Sequence, residues 1–201
     1  MLLEEFNGGA YQALSPTLAA DMAINIFAET RRVEGAKKTR WTLGTPGLKF
    51  FATGSGVECR GWFSQDGRTV VVIGENIYEA TIATATLTLL GTIPDNGEPV
   101  SFASNGQGGD QIAIVGGDEL KIFDTSTNTL SAAIALPFTG PVMIVFLDAY
   151  FLINQRNSPI IWFSALEDGT SWDALDFIAR SGTSDNVVGI GVSQKDRKSV
   201  V

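Results

Sequence analysis

Between Arg60 and Leu90 the apolar positions fall into four short runs divided by residues that favour turns. The runs predict strands over Arg60–Phe63, Thr69–Ile73, Asn76–Thr81 and Thr86–Leu90, with turns at Gln65-Asp66-Gly67 and Gly74-Glu75. β-Branched and aromatic side chains suit a pleated surface, whereas Gly, Asp and Asn accept the backbone angles that join strands. A single four-stranded unit cannot bury both of its faces, so the pattern implies a stack of such units.

The pattern recurs. A second unit runs Val100–Ser104, Gln111–Val115, Glu119–Phe123 and Thr129–Ala135, with turns at Gly106–Asp110, Gly116-Gly117-Asp118 and Thr125–Asn128. A third runs Val142–Leu147, Tyr150–Asn154 and Ile160–Ala165, with turns at Asp148-Ala149 and Gln155–Pro159. Val57, Val100, Val142 and Val187 open successive units, so the spacings are 43, 42 and 45 residues. Four strands in such a period are the spacing of a β-propeller blade. Runs such as Val70–Ile73 and Ile112–Val115 are continuous rather than alternating, as strands sandwiched between neighbouring blades should be. The expected fold is all-β, with blades at about 57–98, 99–141 and 142–186 and the start of another at 187, inside a partial propeller domain over 46–201. A ring takes about four to eight blades, so three and a fragment imply either a truncated chain or closure from outside it.

Residues 1–45 read as an N-terminal arm. Leu14, Leu18, Met22, Ile26 and Phe27 follow a helical spacing, and Ser15-Pro16 can start a short helix with proline in the first turn. Ile24–Phe27 reads equally as a strand. A basic cluster follows, Arg31, Arg32, Lys37, Lys38 and Arg40, diluted by Glu29 and Glu34. It is either a solvated arm or a contact for phosphates or an acidic neighbouring subunit. Gly44–Gly47 signals a turn, and Leu48–Ala52 a strand. The third unit carries an insertion, Glu167–Ser184, in which Thr170 is placed to cap a helical turn over Trp172–Phe177.

Composition narrows the chemistry. Apolar residues are 44% and charged residues 18% of 201, which marks a globular chain, and the net charge of −8 argues against a surface that grips nucleic acid throughout. There is no histidine, which removes Ser-His-Asp and Cys-His catalysis and the usual zinc sites. The glycines of Gly106–Gly109 precede a strand rather than a helix, so they form no phosphate loop. No catalytic, cofactor-binding or metal-binding residue is assigned. A single cysteine, Cys59, excludes an internal disulfide and reads as a small buried residue at a strand start. Met1–Phe6 lacks the features of a secretory signal, and the longest apolar run, Val142–Ile153, is interrupted by Asp148 and too short to cross a membrane. The expectation is a protein made in the cytoplasm with no membrane insertion.

Of the four tryptophans, Trp62 and Trp162 lie in strands and are expected in the core; Trp41 lies in the arm region, and Trp172, in the insertion, is a candidate partner contact. Glu167/Asp168 and Asp173/Asp176 are close carboxylates of the kind a glycosidase pairs, but turn and cap duty is the commoner reason for such pairs. Ser164 followed by Asp168–Trp172 is loosely similar to the Asp-box of sialidase propellers, departing from it where Asp168 and Gly169 are adjacent.

Several runs together carry a family resemblance. They are Asn25–Glu29, Leu43–Leu48 with Phe51–Thr53, Arg60-Gly61, Asp66–Arg68, Ile77–Glu79, Leu89–Pro94, Pro99–Ser101, Phe146–Asp148 with Tyr150-Phe151, and Ser164–Phe177. On these the chain resembles the packaged-DNA stabilisation, or tail hub (nozzle), proteins of short-tailed bacteriophages, from Tyr11 to about Val192. The resemblance implies a non-enzymatic virion part: a hexameric ring that binds the portal or tail adaptor, tail spikes or fibres and a plug or needle. Packaged DNA would be retained by that ring and leave through its channel. Arg31, Arg32, Lys37, Lys38, Arg40 and Trp172 are the candidate contacts with partners. Family members run longer where this chain ends in Lys195–Val201, as a truncated prophage remnant acting as an interaction module would. The remaining alternatives are a sialidase-like or carbohydrate-binding propeller and a WD- or kelch-type interaction propeller.

Overall fold

The computed structural model describes residues 26–31, 39–44, 49–55, 58–106, 108–180, 182, 185–193 and 198–200. The chain divides into two compact units, Met1–Phe50 and Phe51–Val201.

In the first unit β1 (Ile26–Arg31) and β2 (Thr39–Gly44) form an antiparallel hairpin, in register from Ile26 opposite Gly44 to Arg31 opposite Thr39. Of the two readings of Ile24–Phe27, helix or strand, the strand holds from Ile26 onward. Alternating, β-branched and aromatic residues in both segments favour pairing over a helix. Residues 11–25 and 45–48 lie outside the described residues.

The regular elements of the second unit are all strands among its described residues. Its first sheet is β3 (Cys59–Gln65), β4 (Arg68–Ile73), β5 (Asn76–Thr81) and β6 (Thr86–Thr92). The second is β7 (Ser101–Ser104), β8 (Gln111–Gly116), β9 (Glu119–Asp124) and β10 (Thr129–Leu130). The third is β11 (Pro141–Leu147), β12 (Tyr150–Gln155), β13 (Ile160–Ala165) and β14 (Asp168–Ala179). Each is an antiparallel meander in sequence order, which is the topology of a propeller blade. A further pair, β15 (Gly191–Ser193) and β16 (Lys198–Val200), follows.

The cores lie between blades rather than within them. Val70, Val72 and Ile77 of the first blade meet Ile112, Ile114 and Phe123 of the second, with Ile93 and Val100 of the connecting segment filling the gap. Ala113, Val115, Leu120 and Ile122 on the other face of the second blade meet Ile144, Phe151 and Ile153 of the third. Val187 and Ile190 then cover Leu152 and Ile161 on the third blade's far face. This explains the unbroken apolar run of β8, which is packed on both sides. The first strands of successive blades are joined directly. Val100 N donates to Arg60 O at 2.9 Å, and Ile144 N donates to Ser101 Oγ at 3.1 Å.

Five local expectations are corrected. The helical turn over Trp172–Phe177 is part of strand β14, the fourth strand of the third blade. The strand expected over Thr129–Ala135 is paired in the ladder only as Thr129–Leu130; Ser131 Oγ accepts the Ile122 amide at 2.9 Å and interrupts the regular pairing. Lys49–Ala52 is irregular rather than a strand, and over Val187–Ile190 the chain is likewise irregular until β15 begins. Cys59 is exposed, because it sits at the outer end of β3 beyond the packed residues.

Candidate functional site

Three arginines bind the blades to one another. Arg60, near the start of β3, is 6% exposed and surrounded by acceptors. Its Nε donates to Glu98 O at 2.9 Å, Nη1 to Pro94 O at 2.9 Å and Gly74 O at 3.1 Å, and Nη2 to Asn96 Oδ1 at 3.1 Å. The Asp95 carboxylate, 3.4 Å from Nε, supplies the opposing charge. A planar guanidinium can satisfy several acceptors at once, so one side chain fixes the whole Pro94–Glu98 connection against the first blade.

Glu98, at the end of that connection, faces Arg156 of the β12–β13 turn. Arg156 Nη1 donates to Glu98 Oε1 at 2.8 Å and Nη2 to Oε2 at 2.5 Å, a bidentate pair, and Asp118 of the β8–β9 turn lies 3.3 Å from Nη2. The hydrogen bond from Arg156 holds the Glu98 carboxyl below its ordinary value, and Glu98 in return raises Arg156. This one cluster ties the connection between the first two blades to turns of the second and third. A shallow cleft of about 420 Å³ opens beside it, lined by Asp118, Leu136, Phe138 and Arg156. Across the sheet, Arg68 on β4 pairs with Glu79 on β5 and reaches the second blade's Thr125–Asn128 turn, donating to Thr125 O at 3.3 Å and to Asn128 Oδ1. Its guanidinium also lies 5.4 Å from the centre of the Phe123 ring.

The turns at the Arg68 side hold their own shape. Asp124 Oδ1 accepts from Ser126 Oγ, Thr127 N and Ser126 N, which lowers its pKa. Asp168 Oδ1 accepts from Thr170 N at 2.9 Å, Thr170 Oγ1 at 2.7 Å and Gln111 Nε2 at 3.2 Å. Burial opposes its ionisation, yet these bonds outweigh burial and lower its pKa. Asn105 Nδ2 donates to Glu167 O at 3.0 Å, so the β7–β8 loop and the β13–β14 turn are joined across the blade junction. Asp168 is thus a turn-holding carboxylate, which answers the Asp-box likeness.

The expected contact residues are dispersed. Arg31 ends β1 and Arg40 lies on β2, on adjoining rungs of the hairpin; Arg32, Lys37 and Lys38 lie outside the described residues. Trp172 is half-buried on β14, donates Nε1 to Gly169 O at 2.8 Å and packs against the core between the second and third blades. Trp162 is in the core, stacked on Phe138 with ring centres 4.8 Å apart, whereas Trp62 is 69% exposed. Trp62 faces away from the second blade, in a row with Val71, Tyr78 and Leu89, and no other blade of the described residues covers that row. Sequence reasoning missed the arginine clamps. Their only signal was Arg60 itself, a charge heading an apolar strand. No cluster of potential metal ligands occurs among the described residues.

The fold and its junctions define a β-propeller in which Arg60, Arg68 and Arg156 pin blades and connections together. Residues 6–200 match the family described as bacteriophage P22 Gp10, β-propeller, and the chain belongs to that family. It is accordingly a phage structural protein and a virion component. No curated protein matches the sequence. Among solved structures, the computationally designed Ika8 protein superposes with a TM-score of 0.51 at 13% identity, over 86% of this chain and 51% of that one. A chain of the mitotic checkpoint complex gives 0.46 at 13% identity over 75% and 52%, and the Neurospora crassa Pan2 WD40 domain 0.43 at 10% over 60% and 36%. The chain spans about half, or less, of each of these structures. No helix among the described residues is long and apolar enough to cross a membrane.

Proposed function

We propose that the protein is a part of the phage tail hub, or nozzle: a homo-oligomeric ring, hexameric by its family, that retains packaged DNA and forms part of its exit channel. Its partners on this reading are the portal or tail adaptor above it, spikes or fibres around it and a plug or needle below, after synthesis in the host cytoplasm. The observation that carries the reading is the family match over nearly the whole chain. The acidic balance, 22 carboxylates to 14 cations, supports it, because a like-charged wall lets DNA pass without sticking. Electron microscopy of the purified protein mixed with a portal–adaptor assembly of a short-tailed phage should show added density at the adaptor's outer end. In parallel, double-stranded DNA at about 0.15 M salt should not be retained. Absence of added density at saturating protein would refute the tail assignment, and tight salt-sensitive DNA binding would refute the sliding wall.

A further inference from the structure

Strand β14 departs from the other outer strands. Trp172 lies opposite Ser164 and Phe177 opposite Trp162, so five steps along β14 match two along β13. The surplus, Asp173–Asp176, bulges out of the ladder, held by a bond from Leu175 N to Asp173 Oδ1 at 2.8 Å. Leu175 is 83% exposed at its apex, with exposed Asp173 and Asp176 on either side and Phe177 and Ile178 exposed just beyond. A bulge with carboxylates is enough to keep an edge strand from indiscriminate pairing. That role needs no leucine at the apex. A large apolar side chain ringed by charges has instead the make-up of an interface anchor.

Charge indicates the occupant. Residues 51–193 hold sixteen carboxylates and five Lys or Arg, a net charge of −11, while residues 26–44 hold five Lys or Arg and two carboxylates, a net charge of +3. That basic stretch contains the β1–β2 hairpin, and a two-stranded hairpin is marginally stable until it lies against something else. We infer that the Asp173–Asp176 bulge is the docking site for the basic β1–β2 hairpin of a second copy of this chain. The inference rests on the homo-oligomeric reading above and gives it a specific contact. Bulge and hairpin are different surfaces, so the contact is heterologous, and repeating it generates a ring when the rotation closes.

The test is sedimentation velocity on the whole 201-residue chain over a concentration series, from about 0.05 to 0.5 M NaCl. The wild type should self-associate, and the association should weaken with salt. The double variants Asp173→Lys/Asp176→Lys and Arg31→Glu/Arg40→Glu should each weaken it by roughly tenfold or more. Mixing the two variants should restore it, because the unaltered hairpin of one meets the unaltered bulge of the other and the two reversed surfaces are complementary in turn. Leu175→Asp, at an exposed apex, should weaken it without altering the far-ultraviolet circular dichroism. A wild type that stays monomeric, charge variants that associate like the wild type, or a mixture without recovery each overturns the inference. A chain that adds to the portal–adaptor assembly but fails here keeps the tail assignment and loses this contact; the opposite pair of results does the reverse.

Discussion

Arg60 is a guanidinium largely removed from water, so each of its N–H groups needs an acceptor within the protein. The structure supplies three backbone carbonyls, the Asn96 side chain and the Asp95 carboxylate. Replacing Arg60 with methionine keeps much of the aliphatic stem and strands those acceptors, leaving Asp95 without its cation. The expected loss is about 2–4 kcal/mol, read as a lower urea midpoint with an unchanged slope. Arg60→Lys should recover little of it, since an ammonium cannot address the same coplanar set. A lysine variant as stable as the wild type would show that charge alone, and not the fork of donors, holds the connection. The exposed Cys59 one residue earlier shows how abruptly burial changes along β3: neighbours in a strand face opposite sides, and the strand's end leaves the packed region.

At the scale of elements, the Glu98–Arg156–Asp118 cluster joins one inter-blade connection to two turns. Glu98 has a folded-state pKa below its ordinary value of 4.5, so the unfolded chain binds its proton more readily. Stability from the pair is therefore present above the unfolded value and is lost as pH falls through the lowered folded value. Arg156→Gln should lower the melting temperature near neutrality, and the gap from wild type should close as pH falls below 4.5 and through the lowered folded value. A gap that persists at the acid end would assign the effect to packing of the arginine stem instead. Sequence periodicity found most of these elements: strands β3 to β6 are bounded by Asp66-Gly67 and Gly74-Glu75, where Asp66, Gly67 and Gly74 have positive φ. It missed β14 because Thr170, three residues before Asp173, reads as a helix cap, whereas its amide and hydroxyl both bond Asp168 in the turn that opens β14. Arg60's role was equally hidden, since its acceptors come mostly from backbone brought close by the fold. Trp62 was misplaced for a different reason. Burial on both faces holds for a blade with two neighbours, and its row on the first blade has none among the described residues.

On the scale of the whole molecule, the arrangement of the cores decides how stability is shared. Each core is made by two adjacent layers, so a blade is held chiefly by its neighbours, as in other stacked repeats. The second blade contributes to two of them: Ile112, Ile114 and Phe123 on one side, Ala113, Val115, Leu120 and Ile122 on the other. The first blade shares one core, and the third shares one with the second and a smaller one with Val187 and Ile190. Opening the first blade therefore breaks one apolar interface, whereas opening the second breaks two. Amides of β8 and β9 should accordingly be the slowest to exchange with deuterium, those of β4 and β5 faster, and those of β12 and β13 intermediate. Peptide-level exchange measured by mass spectrometry checks the order. Phe123→Leu, which removes volume only from the first junction, should speed exchange in β4 and β5 more than in β12 and β13. Equal acceleration in all three blades would mean that the arginine clamps make the stack open as one unit, and the nearest-neighbour account would then fail.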